Sequence, residues 1–230
     1  MNCLHCKNFH SQGKELFCKS CDRKLRLLLH SRSIPPIEIN KVNLISFGTY
    51  GGPLATLIKN AKSQPWGRIP KVYQNISRAL CEHWKGELNP ADLITFVPGQ
   101  PFRCLIQSDF SESIALTLGE ILNLPVSRRL IRRKWSSPQR KLINLDKRKT
   151  TLSGDCEHFQ LPLSPYPKGS RVLLVDDVCT TGSSLKACTR LLRSAGYEVS
   201  QCLTFARSPR FFYECKDGRQ NEDYYRALSH

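Results

Sequence analysis

The chain has no stretch approaching the roughly 18 consecutive apolar residues of a membrane-spanning helix, and no apolar run of about 7–15 residues behind a basic start. Neither a transmembrane helix nor a secretory leader is expected, and the expected location is the cytoplasm. There is no internal repeat and no low-complexity tract, which argues against a solenoid or a disordered chain. The glycines of Phe47-Gly-Thr-Tyr50-Gly-Gly match neither G-x-G-x-x-G nor G-x-x-x-x-G-K-[ST], so no dinucleotide site or P-loop follows from them. Acids are scarce: 19 Asp and Glu face 35 Lys and Arg, a formal net charge of +16 that turns the surface towards polyanions.

The charge bias is local. Residues 126–150 carry ten basic side chains (Arg128, Arg129, Arg132, Arg133, Lys134, Arg140, Lys141, Lys147, Arg148 and Lys149) against one acid, Asp146. Such a run is either a solvated face or a contact for phosphate or nucleic acid. What the chain does have is core material, with 40% hydrophobic residues including three Trp, seven Tyr and ten Phe. At 230 residues that suffices for one α/β domain and a small appendage.

Eleven cysteines are an odd count for a disulfide framework, and seven of them are scattered through segments that read as core. The other four have metal spacing: Cys3-x-x-Cys6, eleven intervening residues, then Cys18-x-x-Cys21. Two such knuckles let four thiolates surround one ion tetrahedrally, which makes a closed structural site of the zinc-ribbon kind. Zinc or, less often, iron suits the donors. His5 and His10 are surplus to that set, and no βαβ pattern surrounds either pair as a redox dithiol would need.

Along the rest of the chain, residues 31–43 read as a linker because of Ser33, Pro35, Pro36 and Asn40. A short strand or turn and a helix are expected over Ile45–Lys62. A second helix is expected over Ile69–Trp84, with Val72, Ile76, Leu80 and His83 on one face. Asp92–Val97 reads as a strand stopped by Pro98-Gly99-Gln100-Pro101, followed by a helix capped by Ser111 and lined by Ile114, Leu118, Ile121 and Leu122. Val126–Ile131 reads as an edge strand, and Lys134–Tyr166 as a long basic connection. The clearest unit is βαβ: strand Val172–Val175, helix Ser183–Ala195 stopped by Gly196, and strand Val199–Phe205.

Ligands of parallel α/β sheets sit at the carboxyl ends of the strands, where a loop enters the next helix. Here that place is Asp176-Asp177-Val178-Cys179-Thr180-Thr181-Gly182-Ser183-Ser184. Hydroxyls, a bare glycine and inward backbone N–H groups at a helix N-terminus make a cradle for a phosphate. The loop has no lysine, which suits a terminal monophosphate. Asp176 and Asp177 lie about one sugar away, where carboxylates accept from vicinal hydroxyls; a ribose 5-phosphate satisfies both ends. The bland alternative makes them strand-end caps, and a rival makes them the acidic pocket of a receiver domain, which Thr-Thr-Gly-Ser-Ser would not follow.

The segment Val172–Ser184 resembles the signature of type I phosphoribosyltransferases and, together with the four-cysteine ribbon, the chain resembles the ComF family, proteins associated with DNA uptake in competent bacteria. The fold this implies is α/β, type I phosphoribosyltransferase-like: a Rossmann-like parallel sheet flanked by helices, with a small N-terminal four-Cys zinc ribbon. The expected division is ribbon 1–32, phosphoribosyltransferase-like domain 44–207 and polar tail 208–230. The resemblance implies that Asp176 and Asp177 contact the ribose hydroxyls of phosphoribosyl pyrophosphate and help place Mg²⁺. It further implies that Thr180–Ser184 hold the 5-phosphate, with Val178 and Cys179 completing the loop and Cys179 there for packing. Pro98, Gly99, Gln100 and Pro101 would form the pyrophosphate loop. The basic stretch Lys134–Lys149, with Arg140, Lys141 and Arg148, would close over pyrophosphate. Together with Arg132 and Arg133 it would offer contacts for DNA or another anion.

Where ComF-like chains carry Arg-Gly-Phe-Asn-Gln, this chain has Ser108-Asp109-Phe110-Ser111-Glu112, and Thr151 stands where the family has asparagine. Losing an arginine and gaining two acids removes a phosphate contact and adds repulsion, which weighs on turnover more than on binding. Three functions follow. The first is a DNA-uptake protein in natural transformation that binds phosphoribosyl pyrophosphate and engages single-stranded DNA or a DNA-processing partner. The second is an active phosphoribosyltransferase acting on a nucleobase or amine. The third is a zinc-stabilised interaction module whose loop is a relic.

Overall fold

The computed structural model describes residues 2–9, 15–29, 37–65, 71–100, 107–134, 158–162 and 166–208. Its centre is a six-stranded sheet. Counting strands along the chain, β1 is Ile37–Ile39, β2 Val42–Ser46, β3 Leu93–Phe96, β4 Val126–Ser127, β7 Arg171–Cys179 and β8 Glu198–Arg207, in the spatial order β1-β2-β8-β7-β3-β4. All neighbours are parallel except β1 and β2. The remaining two strands, β5 (Arg132–Arg133) and β6 (Phe159–Gln160), form a separate antiparallel pair.

A parallel sheet needs cover on both faces, and β7 shows how its sequence obtains it. Successive side chains point to opposite sides. Leu173 and Val175 enter one core with Leu203 and Phe205, while Val172 and Leu174 enter the other with Val199 and Cys202. The first core is covered by helices α1 (Lys19–Leu29), α2 (Gly52–Lys62), α3 (Lys71–Trp84) and α4 (Phe110–Leu122). The second is covered by α5 (Ser183–Ser194), through Leu185, Cys188 and Leu192, and by Leu130, Ile131 and Phe159 around the β5–β6 pair.

The cysteine segment belongs to the first core. Cys3, Phe17, Cys21, Leu25 and Leu28 pack in one cluster with Leu54, Leu57 and Ile58 of α2. Contact is closest where the Leu28 carbonyl accepts the Thr49 N–H at 3.1 Å. A Cβ at Gly48 would stand 2.7 Å from that same oxygen, so this approach requires glycine.

Several elements differ from expectation. Ile37–Ile39, inside the expected 31–43 linker, is a strand, because Ile-Glu-Ile alternates and Asn40 and Lys41 (φ +52° and +60°) make a two-residue hairpin turn into β2. Residues 30–36 lie outside the described ones. Helix α3 buries Tyr73, Ser77, Cys81 and Trp84, one position beyond the expected stripe; Val72, Ile76 and Leu80 flank it and His83 is exposed. The large Trp84 ring decides that rotation by stacking on Phe47 at 6.2 Å. The cap of α4 is Asp109 rather than Ser111, its carboxylate accepting from the N–H groups of Ser111 and Glu112.

Only Val126–Ser127 of the Val126–Ile131 run pairs with the sheet, at its edge, before the chain turns towards β5. At the other extreme, β7 continues past Val175 to Cys179, so both aspartates stand on a strand that still pairs with β8. Among the described residues, no helix is long and apolar enough to cross a membrane.

Candidate functional site

The carboxyl end of β7 brings the two aspartates to the top of the sheet, and the chain then turns through Thr180–Gly182 into α5. Gly182 has φ +69°, a left-handed conformation that favours glycine. It is also the residue before the helix, and it supplies no capping side chain. The start of α5 borders a shallow concavity lined by Asp176 and Val178–Leu185. The Thr181 hydroxyl is oriented over it, donating to Ser183 Oγ at 3.1 Å and accepting the Ser183 N–H at 3.4 Å. A helix N-terminus with its positive dipole end, surrounded by hydroxyls, is an arrangement that suits an anion. Cys179 is buried in the second core with its thiol pushed up to about 12 by desolvation, consistent with packing rather than chemistry.

Three other elements converge on the aspartates. From α4, the Ser111 hydroxyl donates to Asp176 Oδ1 at 3.3 Å, and the same oxygen accepts the Asp177 N–H at 2.8 Å. From β3, which lies beside β7, the chain enters Pro98-Gly99-Gln100; the Gly99 N–H donates to Asp109 Oδ2 at 3.0 Å. From the last turn of α2, Lys62 Nζ reaches Asp177 Oδ2 at 2.6 Å. The α2 end is itself tied to the start of α4, since Ser108 donates from its N–H to the Gln64 carbonyl and from its hydroxyl to the Pro65 carbonyl.

Burial, together with the charge of Asp177, raises the Asp176 carboxyl well above the usual carboxylate range; Lys62 and the Asp177 N–H act in the opposite direction. Asp109 is raised too, first by burial and then by Asp177, against the hydrogen bond from Gly99. Three carboxylates thus share a region poor in water, with one ammonium group at its edge. Asp109 is engaged by the N–H groups of Gly99, Ser111 and Glu112, which leaves Asp176 and Asp177 as the carboxylates that a ligand could meet.

The expected residues do not all gather here. Asp176–Ser184 do; of the expected pyrophosphate loop, Gly99 is tied to Asp109, and Pro101 lies outside the described residues. Arg132, Arg133 and Lys134 stand on the β5–β6 stem instead, Arg133 over the Phe159 ring at 5.2 Å and the Lys134 N–H on the His158 carbonyl. Arg140, Lys141, Arg148 and Thr151 lie outside the described residues. Sequence reasoning missed Lys62, which it placed within an apolar-periodic helix, and read Asp109 and Glu112 only as repulsive. Glu112 is met by Arg128 at 2.6 Å, and Asp109 does structural work as a helix cap and loop tie.

The second cluster is Cys3, Cys6, Cys18 and Cys21, whose Sγ atoms all lie within 4.8 Å of one another. Cys6 and Cys18 Sγ are 3.8 Å apart. A tetrahedral site with metal–sulfur bonds of about 2.3 Å has edges of about 3.8 Å, so the cluster fits a zinc-sized ion. Burial raises the Cys3 thiol, but N–H groups of Cys18, Cys6 and His5 outweigh it and hold the thiol down to about 6. Burial, then hydrogen bonds from Cys18, Cys3 and Cys6, push Cys21 up. Four thiolate charges are sustained together only with a dication present. His5 stays out of the cluster and bonds Thr56 of α2 through Nδ1 at 2.8 Å.

Comparisons with known proteins find several similar chains. Residues 111–217 match the family described as Phosphoribosyl transferase domain. The chain is 26% identical to Competence protein F of Haemophilus influenzae over 231 residues, covering 90% of this chain and 96% of that protein. A 32-residue stretch, 14% of this chain and 18% of the relative, is 66% identical to an adenine phosphoribosyltransferase of Clavibacter michiganensis. Among solved structures, adenine phosphoribosyltransferase from Thermoanaerobacter pseudethanolicus is similar at 20% identity, 66% coverage of this chain, 76% of that chain and a TM-score of 0.41. Over nearly its whole length, then, the chain is similar to Competence protein F, and its second half carries the match to the phosphoribosyl transferase domain.

Proposed function

We propose that the chain binds phosphoribosyl pyrophosphate with Mg²⁺ at the carboxyl end of β7, and that it serves DNA uptake as a ComF-like protein that engages single-stranded DNA or a DNA-processing partner. One observation carries the ligand assignment: the uncapped N-terminus of α5 at Gly182 opens on the same concavity as Asp176, so an anion cradle and a sugar-binding carboxylate lie together. Thr180–Ser184 enclose the 5-phosphate, Asp176 and Asp177 accept from the ribose hydroxyls, and Pro98–Gln100 lie beside the pyrophosphate. Zinc in the four-cysteine cluster is structural. Phosphorus NMR tests the assignment: the 5-phosphate resonance of phosphoribosyl pyrophosphate broadens or shifts on adding protein and Mg²⁺, whereas an unchanged spectrum leaves a relic loop.

For the DNA role the support is the charge of +16 and the exposed arginines at 128, 129 and 132. Binding to single-stranded DNA then weakens steeply with salt in fluorescence anisotropy, and salt-independent or absent binding contradicts it.

A second reading, transfer of the phosphoribosyl group to a nucleobase or amine, is favoured by the Asp176–Asp177 pair beside the cradle. Mg²⁺ bound there would stabilise the charge of the leaving pyrophosphate. The chain's own residues would hold the 5-phosphate at the α5 N-terminus, place carboxylate charge near the positive ribose carbon and exclude water. Release of pyrophosphate in a screen of bases and amines, lost in Asp176→Asn with Asp177→Asn, supports it; a silent screen leaves the binding role.

A further inference from the structure

Lys62 stands outside everything the loop explains. It closes α2, its Nζ lies 2.6 Å from Asp177 Oδ2, and its side chain keeps 30% exposure. Among the described residues, this is the one ion pair that reaches either aspartate. The lysine is anchored by the fold rather than by chance: the residues that follow it, Gln64 and Pro65, receive both hydrogen bonds of Ser108, immediately before Asp109. Asp109 in turn holds the Gly99 N–H of the turn after β3. Lys62 is therefore paired with Asp177 on a helix end that Ser108 and Asp109 tie to the turn after β3.

An ammonium so placed has two states. Without ligand it is the counter-ion of Asp177. When a dication takes up the Asp177 carboxylate, the ammonium's partner is satisfied elsewhere and its charge becomes available to a second anion, while the cradle at Gly182 holds the 5-phosphate of the proposed ligand. Exchange of partners is open to the lysine because its side chain is partly exposed and its stem is flexible.

Resting on the proposed ligand, we infer that Lys62 is the residue by which the site distinguishes a sugar bearing a 1-diphosphate from bare ribose 5-phosphate, leaving Asp177 for the diphosphate when Mg²⁺ enters. The claim concerns specificity and not the integrity of the fold, so the ratio of two affinities reads it.

The experiment is calorimetry of the full chain with phosphoribosyl pyrophosphate and with ribose 5-phosphate, both with Mg²⁺, on wild type, Lys62→Met and Lys62→Arg, with thermal melting of each. Lys62→Met is expected to weaken phosphoribosyl pyrophosphate by about ten- to a hundredfold and ribose 5-phosphate by less than about threefold, with Lys62→Arg near wild type. Equal loss for both ligands, or no loss for either, overturns the inference while wild-type binding keeps the proposed function. If Lys62→Met does not fold, Lys62→Gln replaces it: loss of the preference for the diphosphate is expected, and an unchanged preference overturns the inference. Failure of wild type to bind either ligand overturns the proposed function and this inference with it.

Discussion

Helix α2 runs between two clusters of ionisable groups that differ in completeness. Near its first turn, Thr56 meets His5 of the cysteine segment, where four sulfurs are arranged to satisfy one ion and leave it no open position. At its last turn, Lys62 meets Asp177, beside the raised carboxyls of Asp176 and Asp109 and the N-terminus of α5, where Gly182 supplies no capping side chain. The first cluster is built into a hydrophobic core and is complete once a metal is present. The second sits at a strand end and, on the proposed function, is completed by a ligand that brings both cation and anion. A closed site of this kind stabilises a fold, while an open one binds.

The comparison breaks most visibly at the cysteines. Cys3 is fully buried and touches the same cluster as Leu54 and Leu57, so Cys3→Ser removes a metal ligand and undermines α1 together. Loss of a structural ion of this type costs several kcal/mol, about half or more of an ordinary domain's stability. A thermal shift assay should show melting lowered by about 10 °C or more, with metal content falling from one ion per chain. Unchanged melting would mean that the cluster is not a structural site.

The open site should respond in the opposite sense. Asp176→Asn with Asp177→Asn is expected to abolish Mg²⁺-dependent binding of phosphoribosyl pyrophosphate, by about a hundredfold or more. Melting should be unchanged or raised, because a desolvated and mutually repelling pair has been neutralised. A stability loss equal to that of Cys3→Ser would erase the contrast between the clusters.

Two smaller effects sharpen it. Gly182→Ala forces an L side chain to φ +69° and should lower stability by about 1–2 kcal/mol, measured by urea unfolding, and weaken the phosphate cradle as well. The pH dependence follows from the raised carboxyls of Asp176 and Asp109. In the folded protein they keep protons above the pH at which the unfolded chain loses them, so their contribution to stability is present at low pH and fades as pH rises through their folded values. The dication needs the deprotonated form, so affinity for Mg²⁺ and ligand rises over that same window and binding releases protons. Calorimetry in buffers of different ionisation heat should detect the release.

The parts of this account that were legible in the sequence are those whose residues are contiguous. Asp176–Ser184 can be recognised because acid pair, hydroxyls and glycine lie within nine positions, and the ribbon because its spacing is itself the ligand geometry. Lys62 was not legible, since it acts on a residue 115 positions later and its own helix reads as an ordinary amphipathic segment. Asp109 was misjudged for a related reason: charge alone says repulsion, and only the fold shows it capping α4 and receiving Gly99. The α3 stripe was displaced by one residue because two offset i, i+4 sets compete there, and the Trp84 ring settles which is buried. Strand β1 was hidden by its length of three residues, although Asn40 marked its turn.

The most direct test of the contrast between closed and open sites is one calorimetric titration of the wild-type chain with phosphoribosyl pyrophosphate, in the presence and absence of Mg²⁺. Saturable binding with Mg²⁺, lost or strongly weakened without it, is the predicted result. Equal binding in both conditions, or none in either, would contradict the reading of the β7 end as a site completed by its ligand.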